Sequence, residues 1–476
     1  MTQAQPRSKT FGQEERWRAF AVLSVAVFIS ILDLFIVNIA FADIEREWPD
    51  ASLSHLSWIL SAYAIVLAAL LVPLGRLGDM VGRKRVFQAG LLLFVASSAL
   101  CAAAQSPNLL IAARVLQGVG AAALTPTSLS LLLPLFPPQQ RAAVIGAWAA
   151  LGGVGAAMGP PLGGLLVEAS WRWIFVVNIP LGLFTVLAVG RKFAEIRDER
   201  ATAPDAFGSA LFVIGVALLT LGLVQGPDWD WDGRVIGAFV VAAIATAGFI
   251  ARSARHRSPA LDLELFRNPS FSLAATATLL FYAGFAALLL GGVLFLTRMW
   301  DYSVLEAGLG FAPGPAMAAA FAGIGGRLTG RIGPGPVGAV GGTLFAIGTA
   351  WMIALPPEPD YVGSYLPTMI VGGSGVGLIL PSFTTAAVSA VRPERLSTGI
   401  GAETTFRQIG AALGVAAWVA IMGTPTTREG LLDGFDRGFG YMAACSFGAA
   451  LTLAMLWAIS RRRGVRGPEP AAEAAG

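Results

Sequence analysis

Four ionisable residues interrupt apolar runs long enough to cross a bilayer, where a charge is costly and needs a reason. Asp33 lies in the run 19–42, Arg114 in the run 108–133, and Glu403 and Arg407 in the run 397–423. A carboxylic acid so placed can take up and release a proton, and a guanidinium beside it sets how readily it does so. Asp33 is about eight residues from the outer end of its run, roughly 12 Å, and Arg114 about six residues, roughly 9 Å. Their similar depth predicts that they face one central cavity and couple electrostatically. A site whose proton affinity changes with conformation can exchange a proton for another solute. The alternative is a static buried ion pair. Glu403 and Arg407 are four apart, so they share a helix face and can simply neutralise each other; otherwise Glu403 is a second proton carrier.

The elements that must hold these groups are membrane spans. The chain has 476 residues, 55% of them hydrophobic and only 13% charged, about half the charge of an ordinary soluble domain. The expected fold class is an all-α integral membrane protein. Fourteen apolar runs lie near 18–41, 54–74, 86–104, 108–133, 142–167, 172–191, 207–225, 235–252, 270–297, 304–325, 336–355, 364–390, 397–423 and 438–460. The first is too long for a signal-peptide core and has no convincing cleavage site, so it reads as a retained span. With the N-terminus inside, about 25 Lys and Arg fall in inner loops and about six in outer ones, which places both termini in the cytoplasm. The net charge of +4 is scattered over short loops rather than gathered on one face, so nucleic acid is not expected as a partner. Two cysteines, Cys101 and Cys445, and two distant histidines, His55 and His256, give neither a disulfide framework nor a metal site.

Two sequence features organise the spans. Residues 75–85 read GRLGDMVGRKR between two apolar runs and predict a tight loop at the membrane surface. Its glycines allow a reversal, Asp79 is a lone acid, and Arg83, Lys84 and Arg85 form a basic cluster. A weaker copy, GRLTGRIG at 326–333, lies about 250 residues later, which suggests an internal repeat of the kind secondary transporters use. A generic basic loop would explain the arginines but not the recurring spacing. Basic segments 191–206 and 252–269 flank two spans with few polar residues, and removing that pair leaves six spans on each side. The predicted division is an N-terminal tail 1–17, a six-helix bundle 18–191, two inserted helices with linkers 192–269, a second bundle 270–460 and a C-terminal tail 461–476. The inserted pair reads equally as scaffold or oligomer contact. In the fifth span, Gly155, Gly159 and Gly163 are four apart and line one helix face, letting another backbone approach closely, while Pro160 and Pro161 bend the helix. The plainer reading is an ordinary small-residue packing face.

These stretches together resemble the major facilitator superfamily, specifically its 14-span drug:proton antiporter (DHA2) type. Residues 75–85 are similar to that superfamily's loop between spans two and three, with Gly75, Asp79 and Arg83 as its gating residues. Residues 155–164 are similar to its antiporter motif, with Gly155, Gly159, Pro160 and Gly163 as the hinge. Residues 32–40, 114–120 and 171–180 resemble its first-, fourth- and sixth-span motifs, although Phe35 stands where a small hydroxyl residue is usual. The resemblance implies two six-helix bundles working by alternating access; Asp33, Arg114 and Glu403 are the proton-coupling candidates that the charges within the spans nominate. It implies, too, that Asp79 latches the halves by docking on the N-terminus of the thirteenth span near Ser397 and Thr398, with Arg83 as a further partner.

The implied activity is proton-coupled export of hydrophobic, cationic compounds or a host-made metabolite, by a monomer in a bilayer, with the proton as coupling ion and no cofactor or metal. Lipid or small-solute transport without proton antiport is the alternative. Tyr63 and Gln408 are the candidate substrate contacts. Enzyme readings fail: Gly118-Val-Gly120 lies within an apolar helix rather than at a strand-to-helix turn, and no phosphate-binding loop is present. An alanine- and arginine-rich composition suits a bacterial inner membrane.

Overall fold

The computed structural model describes residues 13–197, 203, 205–256, 259, 261–389 and 396–465, with the side chains of 191–192, 462–465 and parts of 138–160 and 388–400 outside that description. Among the described residues the regular structure is entirely helical. Fourteen helical crossings follow one another: α1 Gln13–Glu47, α2 Leu53–Val81, α3 Arg83–Ala102, α4 Pro107–Leu132, α5 Pro138–Val167, α6 Trp173–Gly190, α7 Ala206–Gln225, α8 Gly233–Ser253, α9 Pro269–Arg298, α10 Val304–Ile332, α11 Pro334–Trp351, α12 Leu366–Ser389, α13 Leu396–Met422 and α14 Arg428–Val465. Thirteen of these are apolar enough over their described residues to cross a membrane, and α5, thirty residues long, is the fourteenth. The protein is a multi-pass membrane protein.

Local chemistry fixes the ends of these helices. Ser52, Ser106, Asp205 and Asn268 each accept a hydrogen bond from a backbone N–H in the first turn of α2, α4, α7 and α9. Ser303 and Glu306 form a reciprocal capping box at the start of α10. Proline occupies the first turn of α4, α9 and α11, where no intrahelical donor is lost.

The connection between α2 and α3 corrects the sequence expectation of a surface loop at 75–85. Residues 75–81 are the last turns of α2 and residues 83–85 the first turn of α3; only Gly82 lies between them, at φ +131°. That backbone is one L side chains rarely adopt. The other glycines serve packing instead, since a Cβ on Gly78 would lie 2.8 Å from the Thr127 side chain of α4. The weaker copy behaves alike: Gly333 alone separates α10 from α11, at φ +88°.

Helices α1–α6 and α9–α14 form the two six-helix bundles. On the face away from the chain ends, residues 36–44 of α1 share one apolar core with residues 288–299 of α9 and with the first turns of α10. A second core, drawn from residues 19–29, 63–71, 87–95, 121–136 and Val189, belongs to the N-terminal bundle alone. The inserted α7 packs on α8 and on both α2 and α13, with Val213, Val216 and Ala217 against Ala64, Ile65 and Ala412.

Candidate functional site

Asp33 sits near the middle of α1 with its side chain wholly enclosed, as is that of Arg114 on α4. One Asp33 oxygen takes an ion-paired hydrogen bond from the Arg114 guanidinium. The other accepts from Gln117 Nε2 at 2.9 Å and from Asn178 Nδ2 at 3.0 Å. Gln117 follows Arg114 by three residues, so one face of α4 presents both, and Arg114 donates to Gln117 Oε1 at 2.7 Å. Asn178 arrives from α6 just where that helix resumes after its first turn. Ser98 of α3 completes the group by accepting from Gln117 at 2.9 Å and from Asn178 at 3.4 Å.

The guanidinium is held on its remaining sides as well. Its Nε donates to the Ile59 carbonyl at 3.0 Å, and its carbon lies 4.1 Å from the centroid of the Tyr63 ring. Cation–π contact of this kind, out of water, stabilises a buried cation. Two polar atoms here, Arg114 Nη2 and Asn178 Oδ1, are buried without a hydrogen-bond partner among the described residues. A network left incomplete can rearrange at less cost than one fully satisfied.

The sequence pairing of Asp33 with Arg114 is therefore realised, but the pair lies inside the N-terminal bundle in this conformation, not on an open cavity wall. Tyr63, read from sequence as a substrate contact, is fully buried beneath Arg114, and its hydroxyl donates to the Ser30 carbonyl at 3.3 Å. Gln117, Asn178 and Ser98 were not among the sequence candidates. The three-residue spacing from Arg114 was the available signal for Gln117; nothing local pointed to Ser98.

Glu403 and Gln408 lie on α13, both buried, in the other bundle. Glu403 and Arg407 do not form an ion pair; the Arg407 guanidinium lies over the Tyr282 ring at 5.7 Å. Gln408 Oε1 has no hydrogen-bond partner among the described residues. Next to this stretch Thr405 donates to the Ala68 carbonyl of α2 at 3.4 Å, so α13 meets the N-terminal bundle here. Phe281, Tyr282 and Phe285 of α9 cluster with Phe345 and Phe383. Phe35 of α1 reaches that cluster across the bundle interface, edge-on to Phe285 at 6.0 Å. A substitution that looked like a loss of a hydroxyl is a gain of an aromatic contact between the bundles.

The glycine face of α5 packs on α1, one step at a time. A Cβ on Gly155 would meet Ile31 at 3.1 Å, on Gly159 would meet Phe35 at 2.8 Å, and on Gly163 would meet Ile36 at 3.0 Å. The same helix touches the other bundle through Gly164, whose Cβ would lie 3.2 Å from the Leu305 backbone of α10. The Pro160 side chain lies outside the described residues.

Of the gating candidates, Asp79 accepts from Arg83 Nε at 2.8 Å, and Arg83 also donates to the Ser130 carbonyl at 3.0 Å. Gly75 lies against Pro126 of α4. Glu195, in the linker after α6, caps α3 by accepting from the backbone N–H of Lys84 and Arg85 at 3.0 and 3.2 Å. These contacts all fall within the N-terminal bundle or between it and the linker that follows α6. The expected docking of Asp79 on Ser397 and Thr398 involves side chains outside the described residues.

A link between bundles stands on the opposite face, where Arg298 of α9 pairs with Glu45 of α1, both about a quarter exposed. Its Nε donates to Glu45 at 3.3 Å. Removing the charge with Arg298→Ala is expected to shift the open–closed equilibrium at this face two- to fivefold toward open, the effect of an ion pair worth about 0.5–1 kcal/mol. Spin-label distances between the ends of α1 and α9 at this face read it directly; an unchanged distribution would mean the apolar core alone holds this face shut.

Residues 23–415 match the sequence profile of the Major Facilitator Superfamily. Multidrug resistance protein Stp of Mycobacterium tuberculosis is 33% identical over 426 residues, covering 87% of this chain and 78% of that protein. The methylenomycin A resistance protein of Bacillus subtilis is 32% identical over 443 residues, covering 91% of this chain and 92% of that one. Among solved structures, an auto-inhibited POT family peptide transporter superposes with a TM-score of 0.67 at 17% identity, covering 94% of this chain and 97% of that one.

Proposed function

The chain belongs to the Major Facilitator Superfamily, and from that premise we propose that it exports hydrophobic, cationic small molecules, antibiotics among them, across a bacterial cytoplasmic membrane in exchange for protons. The observation that carries this reading is the Asp33–Arg114 ion pair, enclosed in the N-terminal bundle and tied to α3, α4 and α6. An ionised Asp33 satisfies three donors at once. A protonated Asp33 releases the Arg114 cation, which must then find other partners. Each protonation state thus favours its own arrangement of α1 against α4, and α1 is the helix that the α5 glycines and Phe35 couple to the rest of the seam. A proton taken up at Asp33 can in this way bias which face is open.

Substrate recognition falls to the other side of the seam. The aromatic cluster around Phe281 and Tyr282 offers π-faces to flat, apolar compounds, and Glu403 with the unpartnered Gln408 oxygen offers acceptors to a positive charge. The names of the relatives, a multidrug resistance protein and an antibiotic resistance protein, support compounds of that kind. The predicted domain limits, the cytoplasmic placement of both chain ends and the monomeric state belong to the same reading.

The test is ethidium efflux from proteoliposomes under an imposed pH gradient. Efflux that accelerates with the gradient and collapses with a protonophore is expected. Efflux indifferent to the gradient would overturn antiport and favour facilitated or lipid-linked transport by the same fold. Absence of ethidium transport alongside gradient-driven export of another compound would overturn only the cationic preference.

A further inference from the structure

The inserted helices carry a groove that the transport mechanism does not use. It runs between α7 and α8 as an open slot with a volume of about 700 Å³. Phe207, Leu211 and Ile214 line one wall, spaced along a single face of α7. Val241, Ile244 and Gly248 line the other, along α8. Most of this wall is open to the surroundings, with Phe207 61%, Ile214 44% and Ile244 65% exposed, in a part of the chain that spans the bilayer. Gly248 keeps the groove open, since nothing but Leu211 lies within 4 Å of the place its Cβ would take.

The end of the groove toward the chain termini is basic. Arg252, Arg255 and His256 line it there, at the end of α8. Arg252 is committed to a partner, donating to Asp205 at 2.7 Å while its guanidinium lies 5.1 Å from the Phe207 ring. Burial works against ionisation of Asp205. The hydrogen bonds from the Gly208 N–H and Arg252, with the charge of His256, outweigh it and hold the carboxyl below its ordinary value. Asp205 and Arg252 therefore offset each other, and the exposed Arg255 is a further cation at this end of the groove among the described residues.

We infer that this groove binds a phospholipid with an anionic headgroup, its phosphate at Arg255 and one acyl chain laid along α7 and α8. The dimensions agree. From Arg252 to Val241 the helix rises about 16 Å, close to the half-thickness of a bilayer's hydrocarbon core at about 15 Å. An apolar slot of one leaflet's depth ending in arginine matches the two chemically distinct parts of such a lipid, and basic residues at a membrane surface attract anionic lipid.

Native mass spectrometry of the purified full-length protein, with phosphatidylglycerol or phosphatidylcholine added, tests this. Wild-type protein is expected to retain one phosphatidylglycerol in preference to phosphatidylcholine. Arg255→Ala should weaken that retention about fivefold, the effect of one basic residue at a membrane surface. Gly248→Leu, which fits beside Leu211 without displacing backbone, should expel the retained lipid whatever its headgroup. Thermal melting in detergent confirms that both variants fold. Retention of phosphatidylglycerol untouched by either variant would overturn the site. So would equal retention of the two lipids, or dimers in the wild type that Gly248→Leu dissociates, since a second copy would then fill the groove.

Discussion

Replacing Asp33 with asparagine should reduce gradient-driven efflux to background while leaving ethidium binding within about threefold of wild type, since the proposed site for the compound lies in the other bundle. Asparagine has nearly the shape of the acid and still accepts from Gln117 or Asn178, so the substitution holds α1 and α4 in the arrangement the neutral acid favours and the bundle stays folded. What it lacks is the ability to be ionised in one state and neutral in the other. Exchange of labelled for unlabelled substrate, which needs no net proton movement, should persist. Two readouts separate the readings. Loss of efflux with exchange intact identifies Asp33 as the coupling acid. Gradient-driven efflux that survives the substitution makes the ion pair a structural element only, and proton coupling would then have to be sought at Glu403.

Arg114→Ala is expected to do something different, namely to destabilise the fold. The pair is wholly enclosed, and truncating one partner of a buried pair costs about 3–5 kcal/mol because the other charge is left unpaired. The Ile59 carbonyl loses its donor in the same step, and the Tyr63 ring loses the cation above it. Chemical denaturation in detergent micelles measures the loss. Removing both charges, as Asp33→Leu with Arg114→Met, should recover most of it, since apolar residues of similar volume can replace a buried pair at little cost. The doubly substituted protein should be stable and yet dead in transport. Should the single substitution cost under about 1 kcal/mol, the carboxylate is already neutral without its arginine, and the pair contributes little to holding α1 on α4.

Span number and the all-helical membrane fold could be read from the sequence, because a bilayer imposes one length and one polarity on every crossing. The pairing of Asp33 with Arg114 was legible for the same reason: two charges at one depth in hydrocarbon have few alternatives to each other. The rest of the network was hidden. Ser98 and Asn178 are ordinary residues for helices of this kind, and only the approach of α3 and α6 gives them a partner. The stretch at 75–85 misled for an instructive reason. Glycine signals a turn when chain reversal is the problem and close packing when two helices meet, and here Gly75 and Gly78 answer to α4 while Gly82 serves the turn. Glu403 and Arg407 show the limit of helical spacing, for four residues put two charges on one face without obliging them to touch, and the Tyr282 ring takes the arginine instead.

The contact of α7 with α2 and α13 together makes the two long edges of the molecule unlike. Along one edge, α2 and α13 are strapped from outside by a helix that grips both. Along the other, α5 meets α10, and their described close approach is at Gly164 and Leu305. The molecule is bound like a book, with its spine at α2 and α13 and its fore-edge at α5 and α10. A compound dissolved among the lipid tails would have to enter sideways between the covers at the fore-edge, so the leaflet, more than the aqueous phase, would set the concentration the protein works against.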